Sequence, residues 1–168
     1  MKKILINLLI LLCLVTVASC EKDDICVEGD TPLMVIEFYN INDTTVLKNV
    51  AALRVVGQGQ TSTVNTVADR SNVNTITIPL KTGEDTTSFL LISNSASDDN
   101  GAETGNIDTV NFSYSRLEDF KSRACGFIIN YDNLSAALQT DTDNWIKDIE
   151  IVQTQIINAD STHVKIFH

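Results

Sequence analysis

From residue 33 onward the apolar residues arrive in short bursts with polar turns between them, a cadence that suits strands and leaves little room for helices. Leu33 to Tyr39 is apolar and rich in β-formers, too short and too branched for a helix. Val50 to Val56 follows and is closed by Gly57-Gln58-Gly59. Val73, Thr75 and Thr77 alternate with Asn74, Ile76 and Ile78, and Pro79 marks an edge or the end of that strand. Phe89 to Ile92 is a continuous apolar run, fit for a strand buried on both faces. Ser93 to Asn106 is polar and reads as a loop. Val110, Phe112 and Tyr114 alternate with Asn111 and Ser113. Phe127 to Tyr131, Trp145 to Ile157 and His163 to Phe167 complete the set, the last two joined by a hairpin-like turn at Asn158-Ala159-Asp160-Ser161. Arg116 to Arg123 and Leu134 to Leu138 have helical character and are each expected to form a single turn rather than a full helix. Eight or nine short strands at this spacing predict an all-β fold, a single antiparallel β-sandwich domain.

The chain opens very differently. Met1-Lys2-Lys3 is positive, Ile4 to Val17 is apolar save for Asn7 and Thr16, and Ala18-Ser19 puts small residues before Cys20. That is the three-part build of a secretory signal. Its fourteen apolar-run residues would span about 21 Å as a helix, short of the roughly 30 Å hydrocarbon core of a bilayer. The alternatives are a short anchor that is never cut and a core helix, although a core helix would show a polar face and this run has none. No later run matches its apolar length, so the remainder is expected to be water-soluble. The expected organisation is a signal peptide over residues 1–19, a lipidated cysteine and acidic tether over 20–30, and the β-sandwich over 31–168.

The four cysteines sort by position. Cys13 leaves with the leader. Val17-Ala18-Ser19-Cys20 looks like a lipobox: a thiol is the nucleophile that accepts diacylglycerol, and small residues let the peptidase reach the bond before it. Cys20 is the expected lipidation site, and a membrane the expected partner through it. Directly behind, Glu21-Lys22-Asp23-Asp24 resembles the export signal of surface lipoproteins in Bacteroidota: any residue, a lysine, then two acids. That resemblance implies a lipid in the outer membrane with the domain facing outward, while a solvated linker would have the same composition. Cys26 and Cys125 remain. Export implies an oxidising compartment, where two leftover cysteines of a small domain pair more often than not; two buried free thiols are the alternative. A bridge closing about 100 residues would stabilise by roughly 4.7 kcal/mol through lost chain entropy. It would leave only residues 21 to 25, about 17 Å when extended, between lipid and fold, and the domain would sit close against the membrane.

Ser122-Arg123-Ala124-Cys125-Gly126-Phe127, followed by Asn130-Tyr131-Asp132-Asn133-Leu134, resembles a family of small Bacteroidota lipoproteins of unknown function. The early Cys26 and Thr31-Pro32 ahead of a strand fit the same family. The likeness covers nearly the whole mature chain and implies an envelope address and a fold, but no activity. Immunoglobulin domains carry a tyrosine two residues before their second cysteine; here Arg123 stands there, so that likeness is architectural only.

Chemistry is sparse. Losing Lys2 and Lys3 takes the 12 basic residues to 10 against 22 acidic ones, a formal charge of −12. Such a surface repels phosphate backbones, so no nucleic-acid partner is expected. Gly-x-Ser-x-Gly, His-Glu-x-x-His, Cys-x-x-Cys and the phosphate loop are missing from the sequence. Its only histidines, His163 and His168, lie far from any cysteine in sequence. Paired carboxylates acting on glycosides need no such motif, but no pair stands out. The expectation is no enzyme and no cofactor. Asp98-Asp99-Asn100-Gly101 with Glu103, Asn106 and Asp108, and Asp141, Asp143 and Asn144, offer hard oxygens of the kind calcium takes. They lack the spacing of an EF-hand loop, solvated loops explain them as well, and no metal site is assigned.

Asp43-Thr44-Thr45, Asp85-Thr86-Thr87, Asp108-Thr109-Val110 and Asp160-Ser161-Thr162 resemble the O-glycosylation triplet of exported Bacteroidota proteins. The resemblance makes Thr44, Thr86, Thr109 and Ser161 acceptors; ordinary Asp-Thr turn chemistry accounts for the same pattern. The functional expectation is a non-catalytic envelope module that contacts another protein or a glycan. A lipid-anchored hydrolase or glycan-processing factor is the alternative, favoured by a clustered carboxylate trio or by His163 in a deep pocket. A periplasm-facing assembly factor of the same fold is another. Trp145, the sole tryptophan, suits a core better than a sugar platform.

Overall fold

The computed structural model describes residue 26 and residues 29–168. The expected signal peptide, Cys20 and the Glu21-Lys22-Asp23-Asp24 motif lie outside the described residues. Ten strands follow one another: β1 Met34–Asn40, β2 Asp43–Leu47, β3 Val50–Gly57, β4 Ser71–Val73, β5 Thr75–Ile78, β6 Thr86–Ser93, β7 Asn106–Ser122, β8 Gly126–Leu138, β9 Asp148–Ile151 and β10 Val164–Phe167. Among the described residues there is no helix. The fold is the all-β sandwich that the strand cadence predicts.

One sheet runs β2-β1-β10-β9, with β5 lying along the first half of β1; the other runs β4-β3-β6-β7-β8. Period-two alternation builds the core between them. Met34, Ile36 and Phe38 of β1, with Val164 and Ile166 of β10, are buried among Leu53, Val55, Phe89, Leu91, Val110 and Phe112 of the second sheet. The pairing of β1 with β10 is parallel, Ile36 opposite Val164 and Tyr39 opposite Phe167, whereas the other strand pairings are antiparallel.

Several boundaries differ from the expected ones, each for a physical reason. The stretch from Val73 to Leu80 divides at Asn74. β4 pairs with β3 in one sheet and β5 with β1 in the other, while the Asn74 carbonyl accepts the Phe38 N–H at 2.8 Å. Trp145 to Ile157 contracts to the short β9, and Ile156 instead exchanges backbone hydrogen bonds with Tyr131 of β8. β2 was not anticipated: all five of its residues are exposed, so it carries no alternation. Arg116 to Arg123 and Leu134 to Leu138 are not helical turns; β7 covers the first up to Ser122 and β8 the second. Asn133, at φ 54°, is an extra residue opposite the Ser113–Ser115 step. That bulge lets Tyr131 and Leu134, three apart, both be buried.

β7 is 17 residues long, about 56 Å at 3.3 Å per residue. Past Tyr114 β7 has no buried residue, while β8 opposite it still buries Tyr131 and, close to the turn, Ile128. The outer edge of β8 does not stand open. Thr154 and Ile156 bond to it at Leu134 and Tyr131, and the Thr31 hydroxyl accepts the Ile129 N–H at 3.1 Å.

Candidate functional site

Cys26 and Cys125 are bonded, with Cα atoms 4.8 Å apart and a separation of 99 positions in sequence. Cys125 lies in the turn of the β7–β8 hairpin. The Ser122 hydroxyl accepts its N–H at 3.0 Å, and Gly126 takes the left-handed φ of 68° that returns the chain into β8. The start of the domain is thus fastened to the outermost point of its longest hairpin, and Thr31 continues along β8 from there. Flanking the bridge, Phe120 and Phe127 stand directly opposite in register with ring centroids 5.2 Å apart. They are 56% and 64% exposed, two of the three most exposed large hydrophobic residues described, with Leu117 also exposed nearby on β7. Three bases, Arg116, Lys121 and Arg123, share this stretch with two acids, Glu118 and Asp119. Lys121 contacts Asp119 at 2.7 Å and holds its carboxyl below the usual range. Arg116 bonds Asp85 at 2.7 Å.

The interior polar groups are engaged in holding backbone. His163 is 1% exposed; its Nδ1 accepts the Val35 N–H at 3.0 Å while its backbone N–H donates to the Val35 carbonyl at 3.0 Å. Burial lowers its pKa and keeps the ring neutral. His168 is also lowered by burial, and its ring packs edge-on against Trp145 at 5.5 Å. Asp108 is fully buried and accepts the Ile146 N–H through Oδ2 at 2.8 Å, while Oδ1 has no partner; burial raises its pKa. Tyr131 donates to the Leu80 carbonyl at 3.1 Å and Tyr114 to that of Lys81 at 3.0 Å, their rings meeting edge-on at 4.9 Å. Burial pushes Tyr131 up to about 12.

Two shallow recesses open at different places. A cleft of about 450 Å³ lies between Gly57–Gln60 and the Pro79–Phe89 segment, with Lys81 and Glu84 paired at 2.9 Å on its rim. A second, of about 390 Å³, is formed by Lys48, Asn94, Lys147, His168 and the half-buried Trp145. The Trp145 indole donates to the Leu91 carbonyl at 3.1 Å and its ring packs on Phe38, so it belongs partly to the core, as expected, and partly to this recess. The recess lies beside the start of β7, at the opposite end of that strand from Phe120.

The acidic loops are internally bonded. Asp98 accepts the N–H groups of Asn100 and Ala102. Burial works against the charge of Glu103, but the Gly105 and Ala96 N–H groups, the Ser95 hydroxyl and Arg54 outweigh it and hold the carboxyl below its usual range. Asp141 accepts the Asp143 N–H. Of the glycosylation candidates, Thr44, Thr86 and Ser161 are exposed, on β2, at the start of β6 and in the β9–β10 connection. Thr109 is half-buried and paired with Leu90 inside the second sheet. The sequence reading passed over Phe120 and Phe127; two aromatics flanking Cys125 at −5 and +2 were the available signal.

Residues 52–168 match DUF6452, a family of unknown function, and the chain belongs to that family. No curated protein and no solved structure matches it.

Proposed function

We propose that this DUF6452 chain is a lipid-anchored envelope protein, acylated on Cys20 once the leader is removed. Its β-sandwich faces outward from the outer membrane and works as a non-catalytic module that contacts another protein or a glycan. The observation that carries the reading is Val17-Ala18-Ser19-Cys20 behind a fourteen-residue apolar run. The Cys26–Cys125 bridge supports it, since such bonds persist in oxidising compartments and not in a reducing cytosol. Glu21-Lys22-Asp23-Asp24 supports the outward orientation. Binding rather than catalysis is supported by the engagement of His163, Asp108, Glu103 and the tyrosine pair with backbone partners. The contact face that suits such a role is the Trp145 recess, where an indole, two lysines and asparagine side chains meet.

Metabolic labelling with palmitate tests the anchor: the wild-type chain should incorporate label and Cys20→Ala should not. Undiminished incorporation in the variant would overturn the reading. Protease shaving of intact cells tests the orientation, which fails if the domain survives until the cells are broken. Crosslinking in membranes, with a photoreactive group at position 147, should trap the protein or glycan partner.

A further inference from the structure

Phe120 and Phe127 face water as a tilted pair directly opposite one another across the hairpin, with no packing role in the core, and Leu117, three residues before Phe120, is exposed on the other face of β7. A monomeric soluble surface has no reason to pair two exposed aromatics at a hairpin turn, and such a pair marks a surface that is covered in use. What lies within reach narrows the choice. Phe127 is two residues from Cys125, which is bonded to Cys26, and Cys26 is separated from Cys20 only by residues 21 to 25. Those five residues reach about 17 Å when extended. With the steps into both cysteines, the 4.8 Å between the Cys26 and Cys125 Cα atoms and the two residues on to Phe127 added, the tip is tethered within roughly 30 Å of the acylated thiol, and the extended surface within that reach is the bilayer holding the lipid. Amphipathic contacts with aromatic rings suit the headgroup layer. The tip is also where the acidic surface lapses, with three bases to two acids between Arg116 and Gly126. Tether residues Glu21, Asp23 and Asp24 restore negative charge beside it, so the contact depends on the rings more than on charge.

We infer that the Phe120–Phe127 tip rests in the interfacial layer of the membrane that carries the chain's own lipid, which pins the domain at two points and stands the β7–β8 hairpin on the bilayer. The inference rests on the acylation of Cys20 proposed above. Ile146 is held by Asp108, twelve positions before Phe120 on β7. At the rise of an extended strand the neighbouring Trp145 stands about 40 Å from the tip, clear of the bilayer.

The experiment uses the full lipidated protein in phosphatidylethanolamine–phosphatidylglycerol vesicles, with and without brominated acyl chains. An indole introduced by Phe127→Trp in a Trp145→Phe background should lose emission to the bromines, as for a ring at the headgroup–acyl boundary. Native Trp145 should lose none. Leu117→Trp, farther from the turn, gives a second reporter and should be quenched less than Phe127→Trp; the reverse order overturns the upright placement. Protein that floats with the vesicles but shows no quenching at position 127 overturns the membrane contact while leaving acylation intact. Protein that fails to float, as Cys20→Ala should, overturns both. An unquenched tip whose Phe120→Ser/Phe127→Ser variant turns a dimer into a monomer would assign the pair to contact between copies, against the proposal.

Discussion

Acidification from about pH 7.5 to about pH 5.5 should weaken the fold, and His163 is the main reason. An unfolded histidine titrates near 6.5. In the folded chain burial lowers His163, and Nδ1 is occupied as acceptor for the Val35 N–H. Protonating Nδ1 would set two donors face to face in a site without water access. The folded value lies below the unfolded one, so the unfolded chain takes up the proton first as pH falls. Stability is complete above about 6.5 and is lost below it, toward the folded value, at up to about 1.4 kcal/mol per pH unit for one site. The loss from His163 therefore sets in near pH 6.5 and grows as pH falls toward the folded value. His168, also lowered by burial, adds in the same direction. Asp43, Asp98, Glu103 and Asp119 are held below the ordinary carboxylate range, so their contributions disappear only near or below about pH 4. Asp108, raised by burial, acts oppositely at the acid end, where the folded state holds the proton more tightly. His163→Asn separates these effects, because its amide oxygen can replace Nδ1 as acceptor and does not titrate. Urea unfolding followed by Trp145 fluorescence across this range should show a shallower fall of stability with acid in the variant, by at most about one proton. An unchanged slope, or stability that rises on acidification in the wild type, would refute the argument.

Replacing both Cys26 and Cys125 by serine should cost up to about 4.7 kcal/mol, the chain entropy of a loop of this size; an unmoved urea midpoint contradicts the bridge's role. Gly105→Ala would drive a Cβ to within 2.7 Å of Ile92 Cγ2 and of the Ser93 carbonyl, and should destabilise by about 1–3 kcal/mol. Calorimetry showing no fall in Tm would contradict that packing. Tyr131, pushed up to about 12, should stay neutral in the fold as free tyrosines ionise. Stability should then fall as pH climbs past about 10. Tyr131→Phe should flatten that alkaline loss and cost about 1 kcal/mol at neutral pH through the Leu80 hydrogen bond; an identical alkaline profile in the variant would count against it.

The strands with clean alternation were readable in the sequence because each side chain's face follows from its parity. Val110, Phe112 and Tyr114 predict their own burial, and so does the β1 run. Parity fails where the backbone inserts a residue. Asn133 shifts the β8 pattern by one, which made Leu134 to Leu138 look like a turn of helix when it is strand. β2 has no buried face, so it carries no pattern to read. His163 and Asp108 gave no signal either, because their roles depend on main-chain groups 128 and 38 positions away. The cysteine pair was inferred from compartment and count, and its bonding partners stand as expected. That Cys125 sits at a hairpin tip between exposed aromatics required the register of β7 against β8.

The parallel seating of β10 has a consequence for assembly. β10 lies between β1 and β9, so the first sheet has a vacant middle position until residues 164–167 have been made and delivered. β1 waits through roughly 130 residues of synthesis for its lateral neighbour, a long-range closure of the kind that slows folding. The second sheet is built from nearer neighbours and can form first, with the sulfur bridge able to close ahead of the final strand. A nascent chain threaded amino end first through a narrow passage would therefore stay pliable during transit, and would lock only after its carboxyl-terminal strand slid into place.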